Sequence, residues 1–156
     1  MTSPGAAELR AAERQLAEHA RELARGIEWA LPGWVVSSVE SRIAAMGSEA
    51  RGAAAAAGAA AAAEVGAEVA RLLAGDIDDQ RENPLAVLRR AVRYPTEVLA
   101  AAGADPVERD DFAIDRFPDD IYDLTPASFA DIHPDLQALG LRWGAAKAFV
   151  YRHRHG

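Results

Sequence analysis

The residues best placed to do chemistry are the aspartates of Asp119-Asp120-Ile121-Tyr122-Asp123. Two adjacent carboxylates with a third three residues on form a dense cluster of hard oxygen donors. A divalent cation such as magnesium prefers such donors, and a phosphorylated substrate is bound through the cation. Asp119, Asp120 and Asp123 are therefore the candidate magnesium ligands; the expectation is nonetheless no cofactor, with Mg as the one alternative. The segment follows Pro118 in a short irregular stretch, with no second acidic motif to face it. That context favours a solvated loop whose aspartates cap turns and helix starts. Asp119, Asp120, Tyr122 and Asp123 are then candidates for contact with a protein partner instead.

The Asp-Asp-x-x-Asp spacing resembles the aspartate-rich magnesium motif of all-helical prenyl-diphosphate enzymes. In those enzymes the motif lies on a long helix facing a large apolar cavity, and 156 residues are too few for that fold. Asp76-Ile77-Asp78-Asp79 faintly resembles the start of a calcium loop, but the required glycine and terminal glutamate are out of register. Asp78 or Asp79 is expected to serve the turn after Gly75. Of the four histidines, His19 borders an apolar stripe and His133 is placed to cap the last helix. His153 and His155 fall in a basic terminus expected to fray. No serine–histidine–acid set and no phosphate-cradling glycine loop is apparent. Trp29 and Trp34 flank Leu31-Pro32-Gly33, where they could meet a membrane interface or a protein partner. The plainer expectation is that they cover the open end of a helical hairpin.

Charge is polarised along the chain. Residues 105–135 carry ten acidic side chains against two arginines, a formal −8, within a total of −7. Arginines 81, 89, 90 and 93 precede this run; Arg142, Lys147, Arg152 and Arg154 follow it. The first expectation is internal neutralisation, with the basic helices packed near the acidic segment. The alternative is an acidic face that steers a basic partner. The overall acidity argues against nucleic acid as a partner. Absence of cysteine excludes disulfides, zinc–thiolate sites and cysteine nucleophiles, and is compatible with the cytoplasm. The N-terminal residues lack the basic and apolar regions of a signal peptide.

The elements that would position these groups are helices. Residues 43–73 are dominated by alanine, the strongest helix former, with spaced glycines. Only 12 uncharged residues separate Arg51 from Glu64, where a membrane span needs roughly 20, so a membrane role is not expected. Leu9, Leu16, Leu23 and Ala30 recur every seven residues, a coiled-coil-type stripe on a first helix over 4–30. Pro32-Gly33 is expected to break it. A second helix is expected over 38–74, about 55 Å long, with the capping-box spacing Ser37 and Glu40 near its start. Its face runs through Val36, Val39, Ile43, Met46, Ala50, Ala53, Ala57 and Ala60, after which Val65, Val69, Leu72 and Leu73 drift around the axis. Glycines 47, 52, 58 and 66 suggest close backbone approach or kinks. Ser3-Pro4, Asn83-Pro84, Asp105-Pro106 and Thr125-Pro126 read as cap–proline helix starts. Gly75, Gly103 and Gly140 read as helix stops. Short helices are expected over 85–94, 96–102 and 106–116, the last with Val107, Phe112 and Ile114 apolar. A final helix over 134–152 carries Leu136, Leu139, Trp143, Ala146 and Val150 on one stripe. Period-2 alternation is absent.

The C-terminal half resembles an uncharacterised family of small helical proteins from high-GC actinobacteria. The resemblance lies in Asn83-Pro84-Leu85, Tyr94-Pro95-Thr96-Glu97-Val98-Leu99, the stretch from Phe117 to Leu124, and Trp143-Gly144-Ala145-Ala146-Lys147-Ala148. It covers residues 81–150 and implies a source and a fold, with no activity attached.

The fold class expected is all-α: a long alanine-rich antiparallel helical hairpin over 1–78, then a short-helix module over 79–156 packing on it as one structural unit. The function expected is a non-enzymatic, cytoplasmic protein-interaction module. Its partner would be another protein or a second copy, with a homodimer formed through the exposed alanine face. A magnesium-dependent enzyme or binder of a phosphorylated small molecule, and a peripheral membrane or cell-division accessory protein, are the alternatives.

Overall fold

The computed structural model describes residues 4–156, so the Ser3 cap lies outside the described residues. Those residues form helices and turns, with no strand among them. The first helix, α1 (Pro4–Glu40), is ten residues longer than expected, because it continues through Pro32. A proline inside a helix removes one hydrogen bond and crowds the preceding turn, at about 3 kcal/mol. Burial outweighs that cost. Trp34, Val35 and Val39, all beyond the proline, are almost fully buried, and each such side chain contributes about 1.5–3 kcal/mol. Ser37 and Glu40 consequently lie within α1 rather than at a helix start.

A turn over 41–47 reverses the chain into α2 (Ser48–Ala61), a π turn (Ala62–Gly66) and α3 (Ala67–Ala74). The expected hairpin is present, but its bend lies ten residues later, and that resets the buried face. The face is Ala54, Gly58 and Ala61 on α2, then Val65, Val69 and Leu73; Ala53 is exposed. At 3.6 residues per turn, Leu73 would sit about 100° around the axis from Ala54. The π turn inserts one extra residue and takes up that drift, so Val65, Val69 and Leu73 all return to α1. Gly58 marks the closest crossing: a Cβ there would stand 2.8 Å from the Pro32 carbonyl oxygen and 2.9 Å from its Cα. The continuous run Ser48–Ala74, whose most apolar 18 residues have mean hydropathy 1.2, is by length and composition long and apolar enough to cross a membrane, contrary to the expectation from the Arg51–Glu64 gap. A third of its most apolar stretch is buried within the protein.

The second half folds around the hairpin as α4 (Pro84–Leu88), a 3-10 turn (Arg89–Val92), α5 (Arg93–Ala101), α6 (Asp111–Arg116), α7 (Phe129–Ile132) and α8 (Asp135–His155). Asn83 caps α4 by accepting the Leu85 N–H at 2.8 Å. The other two expected cap–proline starts shift. No helix begins at Pro106; Asp110 caps α6 by accepting the Ala113 N–H at 2.8 Å. None begins at Pro126 either, since Ser128 and Asp131 form the capping box of α7. Pro95 does not end a helix but lies inside α5, where it is buried. Gly103 follows α5 at φ +76° and is the one expected stop with left-handed geometry. Gly75 ends α3 in extended geometry. Gly140 lies inside α8 against the Phe129 ring.

Two apolar clusters result. The larger joins Leu16, Leu23 and Ile27 of α1 to Val69 and Leu73 of α3 and to Leu136, Trp143 and Val150 of α8. The heptad stripe of α1 and the stripe of α8 are both core faces, as their spacing implied, and the fold brings them together in this cluster. The smaller lies under the hairpin bend, where Val39 and Ala54 meet Val98 and Leu99 of α5 and Tyr122.

Candidate functional site

The Asp119–Asp123 segment is a turn wrapped around one buried carboxylate. Asp120 is 3% exposed. Its oxygens accept the Leu124 N–H at 2.8 Å, the Thr125 N–H at 2.7 Å and the Thr125 hydroxyl at 2.7 Å. Tyr122 is equally buried, and its hydroxyl donates to the Ala104 carbonyl at 2.9 Å. Asp119 and Asp123 face solvent. Asp123 adopts φ +56°, a left-handed conformation that aspartate tolerates better than most residues. Its carbonyl accepts from the Arg42 guanidinium at 3.3 Å, tying the turn to the hairpin bend. The three aspartates thus diverge. Among the described residues no three acidic or histidine side chains gather where they could hold a metal ion.

Trp29 and Trp34 also part company. With α1 unbroken there is no corner for them to flank. Trp34 is 8% exposed and belongs to the core; Trp29 is 65% exposed. The Trp29 ring stands edge-on to His133 at 4.8 Å, beside a shallow cleft of about 370 Å³ that also touches Gly33, Ser37 and Asp131. His133 accepts the Asp135 N–H at the start of α8, the expected capping role.

The basic groups do not neutralise the acidic run. Arg90 pairs with Glu68 and Glu82. Arg93 pairs with Glu64 at 2.8 Å, and the Tyr94 hydroxyl donates to the same carboxylate. Burial and the Glu64 carboxylate hold the Tyr94 phenol above the ordinary tyrosine range. Arg154 bonds Glu13 at 2.9 Å, Asp76 at 2.7 Å and Asp78 at 3.1 Å, and His155 bonds Asp78 at 2.7 Å. The C-terminal end of α8 is thereby tied down rather than frayed. Asp76, not Asp78 or Asp79, organises the turn by accepting the Asp78 N–H at 2.9 Å. The Arg154 guanidinium, then this N–H, holds the Asp76 carboxyl below its ordinary range. These contacts close one end of a cleft of about 600 Å³, floored by Leu16, Ala20, Leu73, Ile77 and Trp143. It contains no nucleophile–base pair among the described residues.

Of the arginines in or beside the acidic run, Arg89 and Arg109 bond backbone carbonyls, and Arg116 stands over the Phe112 and Phe117 rings at 5.9 Å; among the described residues none of the three pairs with a carboxylate. Asp105, Glu108, Asp111, Asp115, Asp119 and Asp123 are exposed, and their carboxylates have no hydrogen-bond or ion-pair partner among the described residues. The helix α6 lies among them and buries none of its residues: Phe112 is 70% exposed and Ile114 44%. Spacing marked both as apolar helix residues; it carries no sign that the helix lacks a packing partner. The result is an acidic surface segment bearing two large exposed apolar side chains, with the Arg116 guanidinium 5.9 Å from the centre of the Phe112 ring. No protein-family model, no curated protein and no solved structure matches the chain.

Proposed function

We propose that the chain is a non-enzymatic, cytoplasmic protein-interaction module, engaging another protein or a second copy through the acidic face around α6. The observation that carries this reading is the exposure of Phe112 and Ile114 among six unpartnered carboxylates. Association surfaces place a large apolar anchor at the centre and polar groups around it. Six carboxylates against the single exposed Arg116 of α6 leave the rim acidic, which adds steering toward a basic partner. The partner's complementary surface is therefore an apolar patch edged by arginine or lysine. Trp29 supplies a second anchor on another face of the molecule. Asp120 and Tyr122 support the acidic face from beneath by holding its turn, while Asp119 and Asp123 belong to its rim.

The test is a paired affinity capture. Wild type and a Phe112→Ser/Ile114→Ser variant are used as bait, with circular dichroism checking that helicity is equal. A stoichiometric protein captured by wild type and lost from the variant supports the reading. Identical captures from both refute it.

A further inference from the structure

The helix α8 is apolar on two opposite sides. One stripe, Leu136, Leu139, Trp143, Ala146 and Val150, packs into the core. The other runs through Leu141, Ala145, Ala148 and Phe149, and all four are exposed. Leu141 is 66% exposed and Phe149 38%, with the His153 ring stacked on Phe149 at 4.0 Å. A surface helix ordinarily carries charge opposite its core stripe; one that is apolar all round is ordinarily buried. Charge along α8 is of one sign: Arg142, Lys147, Arg152 and Arg154 stand against Asp135 alone. Arg142 and Arg152 flank the outer stripe, are exposed, and have no hydrogen-bond, ion-pair or ring partner among the described residues. This is an apolar patch edged by arginine, the counterpart that the acidic face around α6 requires. One molecule thus carries both halves of a complementary pair, and neither half is paired within the chain.

We infer that the partner of the α6 face is a second copy of this chain, with Phe112 and its acidic rim docking on the outer stripe of α8. The inference rests on the proposed role of α6. A two-fold arrangement uses each patch twice, α6 of each copy meeting α8 of the other, so both exposed apolar patches are covered in one closed dimer. Asp111 and Asp115 face Arg142 and Arg152 across the contact. Leu141 and Phe149 receive Phe112. This interface differs from the alanine face of the hairpin, where residues 52–63 carry no side chain larger than a methyl group.

The experiment is a charge swap read by sedimentation equilibrium. One variant carries Asp111→Arg and Asp115→Arg; the other carries Arg142→Asp and Arg152→Asp. All four positions are exposed, and circular dichroism verifies that each variant keeps wild-type helicity. Wild type is expected to dimerise, more weakly at about 1 M salt, where the screening length falls to about 3 Å. Each variant alone is expected to associate at least about tenfold more weakly, a change of 1.4 kcal/mol. Their equimolar mixture is expected to recover the dimer, because reversed α6 meets unreversed rims only in like-charged self-pairs and opposite charges in the mixed pair. Wild type monomeric up to about 100 μM, where a micromolar interface would be saturated, overturns the inference. So does a dimer that survives both reversals, or variants that stay apart on mixing. If wild type is monomeric yet still captures a different protein that the Phe112→Ser/Ile114→Ser variant loses, this inference falls and the role of α6 stands.

Discussion

Removing the Asp120 carboxylate should unfold a turn, whatever metal is present. Asp120→Ala strips the acceptor from two backbone N–H groups and one hydroxyl in a half-buried turn. A buried donor left without a partner costs about 1–3 kcal/mol. Water can reach part of this turn, so the lower end applies to each donor, giving about 3 kcal/mol in total. For a domain of this size that lowers Tm by roughly 6–12 °C. Asp119→Ala, at an exposed carboxylate with no partner, should stay within about 0.5 kcal/mol of wild type. The assay is thermal unfolding followed by circular dichroism, with each protein measured in magnesium and in chelator. The expected result is a large Tm loss for Asp120→Ala alone, of equal size in both buffers. Equal, small effects for both variants would refute the buried role of Asp120. So would a wild-type Tm that rises with magnesium while that of Asp120→Ala does not, since Asp120 would then be a ligand.

Three further outcomes follow from particular contacts. Gly58→Ala should destabilise by about 1–3 kcal/mol, because its Cβ would drive into the Pro32 backbone; Gly52→Ala, with nothing within 4 Å, should stabilise by about 0.5–1 kcal/mol; chemical denaturation compares them. In an absorbance titration one phenol should ionise above the ordinary tyrosine range and disappear from the curve in Tyr94→Phe. Because the folded-state pKa of Tyr94 is raised, its contribution to stability is present below pH 10 and is lost as pH rises through the folded value. Arg154→Ala should release the last turn of α8 from Glu13, Asp76 and Asp78, seen as faster amide exchange over 150–155 with little change over 136–146.

How far the fold could be read in advance depended on whether a signal was periodic or local. The seven-residue stripe of α1 and the stripe of α8 are repeated over several turns, and both proved to be core faces. Pro32-Gly33 is a local signal, and the burial of Trp34, Val35 and Val39 overrode it. Moving the bend to 41–47 then changed which alanines of α2 face inward. The cap–proline pairs at Asp105 and Thr125 failed because other side chains, Asp110 and Ser128, offered caps a few residues later. The Asp119–Asp123 cluster was visible as a composition, but which carboxylate turns inward depends on the Leu124 and Thr125 donors. The candidate face was half legible. Its charge could be counted directly, whereas the distant pairings of Arg90, Arg93 and Arg154, which leave that charge unneutralised, connect residues 8 to 141 positions apart. The exposure of Phe112 had no sequence signal, because an apolar residue in a helix looks the same whether or not anything packs on it.

The most direct test of the α6 face is photo-crosslinking from position 112. A photoreactive phenylalanine analogue replaces Phe112 in one variant and the exposed Glu18 of α1 in another, and both are irradiated in the cells that make the protein. The account predicts a discrete adduct from position 112, at twice the 16.6 kDa chain mass if the partner is a second copy, and none from position 18. No adduct from position 112, or the same adducts from both positions, would contradict it.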